Sequence, residues 1–342
     1  MNMHELPMIL FTVIAQMCVG AFIVLGVAQL WLRSKTDERT TDRLTLPILL
    51  VIGPAMIAGL VVSMFHMNDV SNTLNVLRHW NSSWLSREII FGAGFAGLGF
   101  VFAFAQWYRI GSAALRQALG ILTGLVGIAL VYSMSQIYYS LVTVPAWNTL
   151  IVPLHFFATT IMLGALAVGA AFVVTAMVRH HTAAKVANAP VPVPTRRVDP
   201  AGAKGKSLLR IKENVEIINS PNTDEEWSLQ TKIIQALAIV SAVVGVLVLV
   251  SYPIHISNLA GGDATAQASA GVFSGGFFIL RLLLLGLAAV VLAIFAYKAA
   301  GNAVKDNPTI LAAIIVIAFA LTFLAELMGR SLHYDSMMRI GI

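Results

Sequence analysis

The chain has 342 residues, 58% of them apolar and only 11% charged, against roughly 25% charged in ordinary soluble domains, which excludes a soluble globular fold. Its pI near 9.6 would suggest nucleic acid if the cations formed a patch, but they fall between apolar runs and mark membrane sidedness instead. The single cysteine, Cys18, lies in the first apolar run, so no cysteine-ligated zinc or iron–sulfur centre can form within the chain.

A membrane-crossing helix needs about 20 mostly apolar residues. Eight segments meet or approach this, at about 7–32, 44–66, 88–107, 117–136, 149–178, 233–254, 271–297 and 309–329, which predicts an all-α, polytopic integral membrane protein. No Lys or Arg precedes the first run, and that run is too long for a signal-peptide core, so it reads as a permanent helix. Gly92, Gly94, Gly97 and Gly99 in the third helix predict a packing seam there. The fifth helix is followed by a loop rich in Ala, Pro and Val around residues 189–194, which reads as a spacer, with a weakly periodic stretch after it. The organisation predicted is residues 1–178 with five helices and the candidate site, a cytoplasmic loop at 179–231, and residues 232–342 with three helices.

Seventeen Lys and Arg fall after the odd-numbered helices, and four lie at the termini and after the even-numbered ones. Without the long fifth loop the count is still eight against four. Cationic loops stay in the cytoplasm, so both termini are expected outside.

With that orientation, His4, His66, His79, His155, His255 and His333 all map to outer helix ends, together with Glu5, Glu88, Glu326, Arg87 and Arg330. Polar groups at such depths face a bundle interior or a wet cavity, so an outer-side polar site is expected. It suits quinol oxidation, because imidazole accepts a hydroxyl hydrogen bond near neutral pH and a carboxylate relays the proton to water. His66, ending helix two, and Glu88, opening helix three, are the best-placed pair, with Arg78, Ser86 and Arg87 shaping the segment between. Plainer readings stand beside this. Glu88 follows Ser86 at a helix start, where serine caps and a carboxylate favours the dipole, and His66 serves equally as an interfacial residue.

Arg281 is placed near mid-membrane and needs a partner or water. Glu326 is one candidate, at an apparent mismatch of depth. Trp80, Trp84, Trp107 and Trp147 read first as interfacial anchors. No helix carries two histidines spaced to stack haems, so the protein is expected to hold no haem and no metal.

The opening His4-Glu5-Leu6-Pro7, then Phe11-Thr12-Val13 with Gln16, resembles the start of DMSO reductase membrane anchor subunits (DmsC). So do Phe65-His66, Asn75-Val76-Leu77, the Ser83-Trp84-Leu85-Ser86-Arg87-Glu88-Ile89 opening of helix three, and the closing Gly329-Arg330-Ser331-Leu332-His333-Tyr334. The resemblance implies an anchor in a bacterial inner membrane with periplasmic termini. Its partners would be a molybdopterin catalytic subunit and an iron–sulfur electron-transfer subunit, and it would oxidise menaquinol without haem, at a site with His66 and Glu88. Asp69 and the 53-residue loop at 179–231 depart from the family pattern. A related anchor of the polysulfide or nitrite reductase type shares this chemistry. A secondary transporter is the reading from another class, and mid-membrane binding groups for it are scarce.

Overall fold

The computed structural model describes residues 5–64, 78–187, 219–305 and 307–340. Eight helices among them are long and apolar enough to cross a membrane: α1 (Leu6–Arg33), α2 (Glu38–Met64), α3 (Trp84–Tyr108), α4 (Ala113–Tyr139), α5 (Ile151–Ala187), α6 (Asp224–Ala260), α8 (Gly276–Asn302) and α9 (Thr309–Asp335). A short helix α7 (Ala264–Gly271) sits between α6 and α8. His66 and Asp69, and most of the segment joining α2 to α3, lie outside the described residues.

Helix starts follow local chemistry. Ser83, Ser112 and Asp263 each accept a backbone N–H three residues on, and Thr223 and Glu226 form a reciprocal capping box at α6. The cap of α3 is therefore Ser83, not Ser86. Glu88 thus stands three residues further into the helix than a cap at Ser86 would place it. Arg109 ends α3 in the left-handed region, and Gly111 takes φ +76° in the turn to α4, where a side chain would strain the backbone.

Two helices run past their expected limits. α5 continues to Ala187 and α6 begins at Asp224, so much of the stretch read as loop is helical at both ends. A buried polar network explains the extension of α6. The Arg43 guanidinium of α2 binds Glu226 and donates to the Ser220 carbonyl at 2.8 Å. Arg179 of α5 donates to Asn222 at 2.9 Å and to the Arg43 carbonyl at 2.7 Å. Three helix ends are thereby tied together at one face of the bundle.

α1 and α5 pack against each other at the centre, with α2 and α4 against α1, and α6 and α9 against α5. Phe100, Val51, Leu283 and Ile310 point outward and are more than 60% exposed; lipid, not water, satisfies such a surface. Ala, Gly, Ser and Thr line the inside, as lipid-embedded packing requires. The expected glycine seam on α3 is absent. A methyl group on Gly97 would meet nothing, and one on Gly92, Gly94 or Gly99 would make ordinary contacts. The close approach lies between α1 and α5, where a Cβ on Gly20 would fall 1.8 Å from the Thr160 carbonyl oxygen and one on Gly164 would fall 2.3 Å from the Gly20 carbonyl carbon. Both obstacles are backbone, so the helices must separate. We expect Gly20→Val and Gly164→Val to lose most detergent-stable protein, with Gly97→Val close to wild type. Size-exclusion profiles of equal membrane extracts measure this, and a normal profile for Gly20→Val would show the seam to be pliable.

Candidate functional site

With eight successive candidate spans, the start of α1, the end of α2, the start of α3 and the end of α9 share one face, called here the first face. Of the polar residues expected at one side, His155, His255, His333, Glu326 and Arg330 lie together there, whereas His4 and His66 lie outside the described residues. α9 supplies Glu326, Gly329, Arg330 and His333, at three- and four-residue spacing on one stripe. α5 adds His155 and Thr159, α6 adds Tyr252 and His255, and α8 adds Arg281.

Arg281 corrects the sequence expectation in depth. The span containing it begins at Gly276, because the end of α7 at Gly271 and a short 3-10 turn at Val272–Ser274 occupy the first residues of the expected 271–297 helix. Arg281 thus stands a turn and a half from the start of α8, level with Glu326. Its guanidinium lies 3.3 Å from the Glu326 carboxylate, donates to the Ala325 carbonyl at 3.4 Å and covers the Tyr252 ring at 4.6 Å. Glu326 also accepts from the Thr159 hydroxyl at 2.5 Å. Gly329 is glycine because a Cβ there would stand 2.7 Å from Arg281 Nε. Further along α8, a π-helical turn at Gly286–Leu292 frees the Ala289 carbonyl, which accepts from the Ser241 hydroxyl at 3.2 Å.

Glu88 is buried on the inward side of α3. No hydrogen bond among the described residues reaches its carboxylate, and the charge acting on it is that of Arg330. Arg330 is itself buried, donates to Gln16 Oε1 of α1 at 3.1 Å and lies 3.7 Å over the Phe156 ring. Glu88, Arg330 and Gln16 are thus buried polar residues of α3, α9 and α1, with Arg330 hydrogen-bonded to Gln16 and no ion pair within 4 Å between Arg330 and Glu88.

The other residues singled out from the sequence are not in this group. Ser86 is buried one turn from the cap. Arg87, one position and about 100° from Glu88 around the helix, turns outward, donates to the Trp80 and Asn81 carbonyls at 2.9 and 2.7 Å and stacks over Trp84 at 4.1 Å. Arg87 braces the segment before α3, and Arg78 is exposed.

Trp147 departs from the anchoring expectation. It is buried, stacks on His333 at 5.0 Å and donates from Nε1 to the His333 carbonyl at 2.8 Å. Tyr138 and Tyr334 share a hydroxyl–hydroxyl hydrogen bond of 2.7 Å beside it. His155 contacts the Ser251 hydroxyl at 2.6 Å.

Between these groups lies a cavity of about 40 Å³ lined by His155, His255, Arg281, Glu326, Arg330 and His333. Arg281 Nη1, Arg330 Nε and His333 Nε2 have no hydrogen-bond partner among the described residues. The volume suits two or three water molecules at roughly 15 Å³ each, and the unpaired nitrogens suit them too. An aromatic ring does not fit. Among the described residues no group of three His, Cys, Asp or Glu is placed to hold a metal ion.

The family model for the DMSO reductase anchor subunit (DmsC) matches residues 1–195, which takes in α1 to α5 and Glu88 but not Arg281, Glu326 or Arg330. Over 165 residues the sequence is 33% identical to the C chain of anaerobic dimethyl sulfoxide reductase from Escherichia coli, covering 48% of this protein and 56% of that one. It is 30% identical over 164 residues to the protein of the same name from Haemophilus influenzae, covering 48% and 57%. The C component of sulfite dehydrogenase from Allochromatium vinosum is 26% identical over 140 residues, covering 38% and 43%. The match thus spans about half the length of these curated relatives. Because the family model covers more than half of its 342 residues, this multi-pass membrane protein belongs to the DMSO reductase anchor subunit family.

Proposed function

We propose that the protein is the quinol-oxidising anchor of a molybdenum-containing, DMSO reductase-type complex of a bacterial inner membrane. It takes two electrons and two protons from menaquinol at the periplasmic face and passes the electrons to an iron–sulfur subunit, which feeds a molybdopterin catalytic subunit. The observation that carries this reading is the buried group of Glu88, Arg330 and Gln16 on the first face of a member of this family. A buried carboxylate beside a fixed cation is suited to take a proton from a quinol hydroxyl and release it to water. The ring would lie on the α3 side, because the cavity behind Arg330 is too small for it. His66 would accept the second hydroxyl proton.

His66→Ala and Glu88→Gln are each expected to slow quinol-analogue oxidation at least tenfold, about 1.4 kcal/mol of transition-state stabilisation, in membranes with equal amounts of assembled complex. Wild-type rates and inhibitor affinity in both would remove the two residues from the mechanism. A relative named as part of a dehydrogenase favours a second reading in which the same site reduces quinone; running the assay from quinone distinguishes the two directions.

Sidedness is tested separately. Asn148 and Ala260 are exposed on the first face and Asp37 on the other, while the native Cys18 is buried. Single cysteines at 148 and 260 are expected to react with an impermeant reagent from the periplasm, and one at 37 is not. The opposite pattern would put the site in the cytoplasm.

The purified protein is also expected to bind no haem, since His155 and His255 are engaged by Ser251 and by the Phe273 ring at 5.5 Å. Reduced-minus-oxidised spectra at one haem per molecule would overturn that.

A further inference from the structure

A larger cavity lies on the far side of the bundle from the candidate site. It is a groove of about 230 Å³ between α1, α2, α3 and α4, beginning at Arg33, Asp42 and Arg116 and running along α1 to Phe22. Eleven residues of helix separate Phe22 from Arg33, about 17 Å, close to the ~15 Å depth of one leaflet's hydrocarbon. Gly26 of α1 and Gly120 and Gly124 of α4 leave it open where larger side chains would close it. Val27, Ile121 and Leu125 on its rim are more than half exposed, so it opens sideways into the bilayer.

An apolar cavity of this size does not fill with ordered water; cavities of about 150 Å³ take up benzene-sized apolar molecules. The polar end is different in kind. Around it stand Arg33, Lys35, Arg39, Arg109 and Arg116 against Asp37, Glu38 and Asp42. Glu38 is taken by Arg116, and Asp37 accepts from the Arg39 and Thr40 backbone at 3.1 and 3.4 Å. Asp42 lies 3.9 Å from Arg33 and 3.4 Å from Arg109, and Arg33 Nε donates to nothing among the described residues. The excess is cationic and under-satisfied, at the depth where a phosphate sits.

We propose that this groove is a binding site for an acidic phospholipid of the leaflet at that face, with one acyl tail between α1 and α4 and the phosphate held by Arg33 and Arg109. Its occupancy fills the gap between the first two helices and the α3–α4 hairpin, which otherwise meet there across empty space.

The test uses the full-length protein, purified with whatever subunits accompany it. Native mass spectrometry reads the co-purified phospholipid, and thermal unfolding is followed on adding phosphatidylglycerol or phosphatidylcholine micelles to delipidated protein. Gly26→Leu and Gly124→Leu fill the groove without a clash, since an added Cβ meets nothing within 4 Å at Gly26 and only Ile23 at 3.9 Å at Gly124. Gly97→Leu adds the same side chain on an open, lipid-facing surface and is the control. Wild type and Gly97→Leu are expected to retain phospholipid and to be stabilised more by phosphatidylglycerol. Both groove variants are expected to lose both properties, and Arg33→Gln is expected to lose about fivefold of the preference for the acidic headgroup. Equal retention in groove-filled and control proteins would overturn the proposal, as would equal stabilisation by the two lipids. A quinone, rather than a phospholipid, lost from the groove-filled variants would also overturn it.

Discussion

Glu326→Ala is expected to remove most of the folded protein from the membrane, while Arg281→Met combined with Glu326→Leu recovers it. Arg281 is only 2% exposed and Glu326 6%, and they neutralise each other at 3.3 Å beside a cavity with room for only a few waters, too few to solvate a lone charge fully. Breaking a buried pair from one side costs about 3–5 kcal/mol, because the remaining charge is stranded. Replacing both with apolar residues of similar size is nearly neutral or stabilising, since the desolvation penalty disappears with the charges. Arg281→Met alone is milder in polar terms, because Glu326 keeps the Thr159 hydroxyl, but it also removes the guanidinium packed on Gly329 and Tyr252. The measurement is the fraction of fluorescent fusion that stays monodisperse after detergent extraction at rising temperature. A double variant as unstable as Glu326→Ala would mean that packing, not charge, holds the helices there.

The same residues show what a single sequence can and cannot disclose. All eight spans were legible, because a run of some twenty apolar residues has few other uses. The stripe Glu326, Arg330, His333 was legible in principle from its spacing along one helix. The depth of Arg281 was not, because the short turn at Val272–Ser274 breaks the helix inside what reads as one apolar run, and hydropathy does not mark where a helix breaks within such a run. The seam was misplaced for a related reason. Four glycines on α3 form a conspicuous pattern, yet what matters is the backbone opposite, and Gly20 meets Gly164 across 144 residues of sequence. Nothing local marks that pair. Trp147 was assigned to the interface by residue type, and its burial depends on His333 folding back from the far end of the sequence.

Charge counting fared differently. Arg43, Arg116 and Arg179 were counted as sidedness signals, but they are buried in polar networks, and so is Arg330 on the first face. With those four removed and the long loop again discounted, six cations still face three. The bias behind the expected orientation therefore survives without the cations that are buried in polar networks. Arg43 and Arg179 instead bind the start of α6 to α2 and α5, a role that the sequence concealed because Glu226 and Asn222 lay in a segment read as loop.

Arg330→Gln is expected to slow quinol-analogue oxidation by about a hundredfold, about 2.7 kcal/mol, more than either single change at His66 or Glu88. Arg330 is the cation whose field reaches the buried Glu88, the donor to Gln16 at 3.1 Å and the cap over Phe156 at 3.7 Å, so its loss removes the positive field at one buried carboxylate and loosens two helix contacts at once. Arg330→Lys keeps the charge but not the planar group that spans Gln16 and Phe156, and should recover part of the rate. A double-mutant cycle with Glu88→Gln separates chemistry from packing. Buried groups coupled through charge show interaction energies of about 0.5–3 kcal/mol, so Arg330→Gln should cost markedly less when Glu88 is already neutral. The readouts are turnover at saturating quinol and inhibitor affinity, both in membranes with matched amounts of assembled complex. If the two substitutions add without coupling, Arg330 acts only as a strut between α9 and α1, and Glu88 must exchange its proton without the help of that charge.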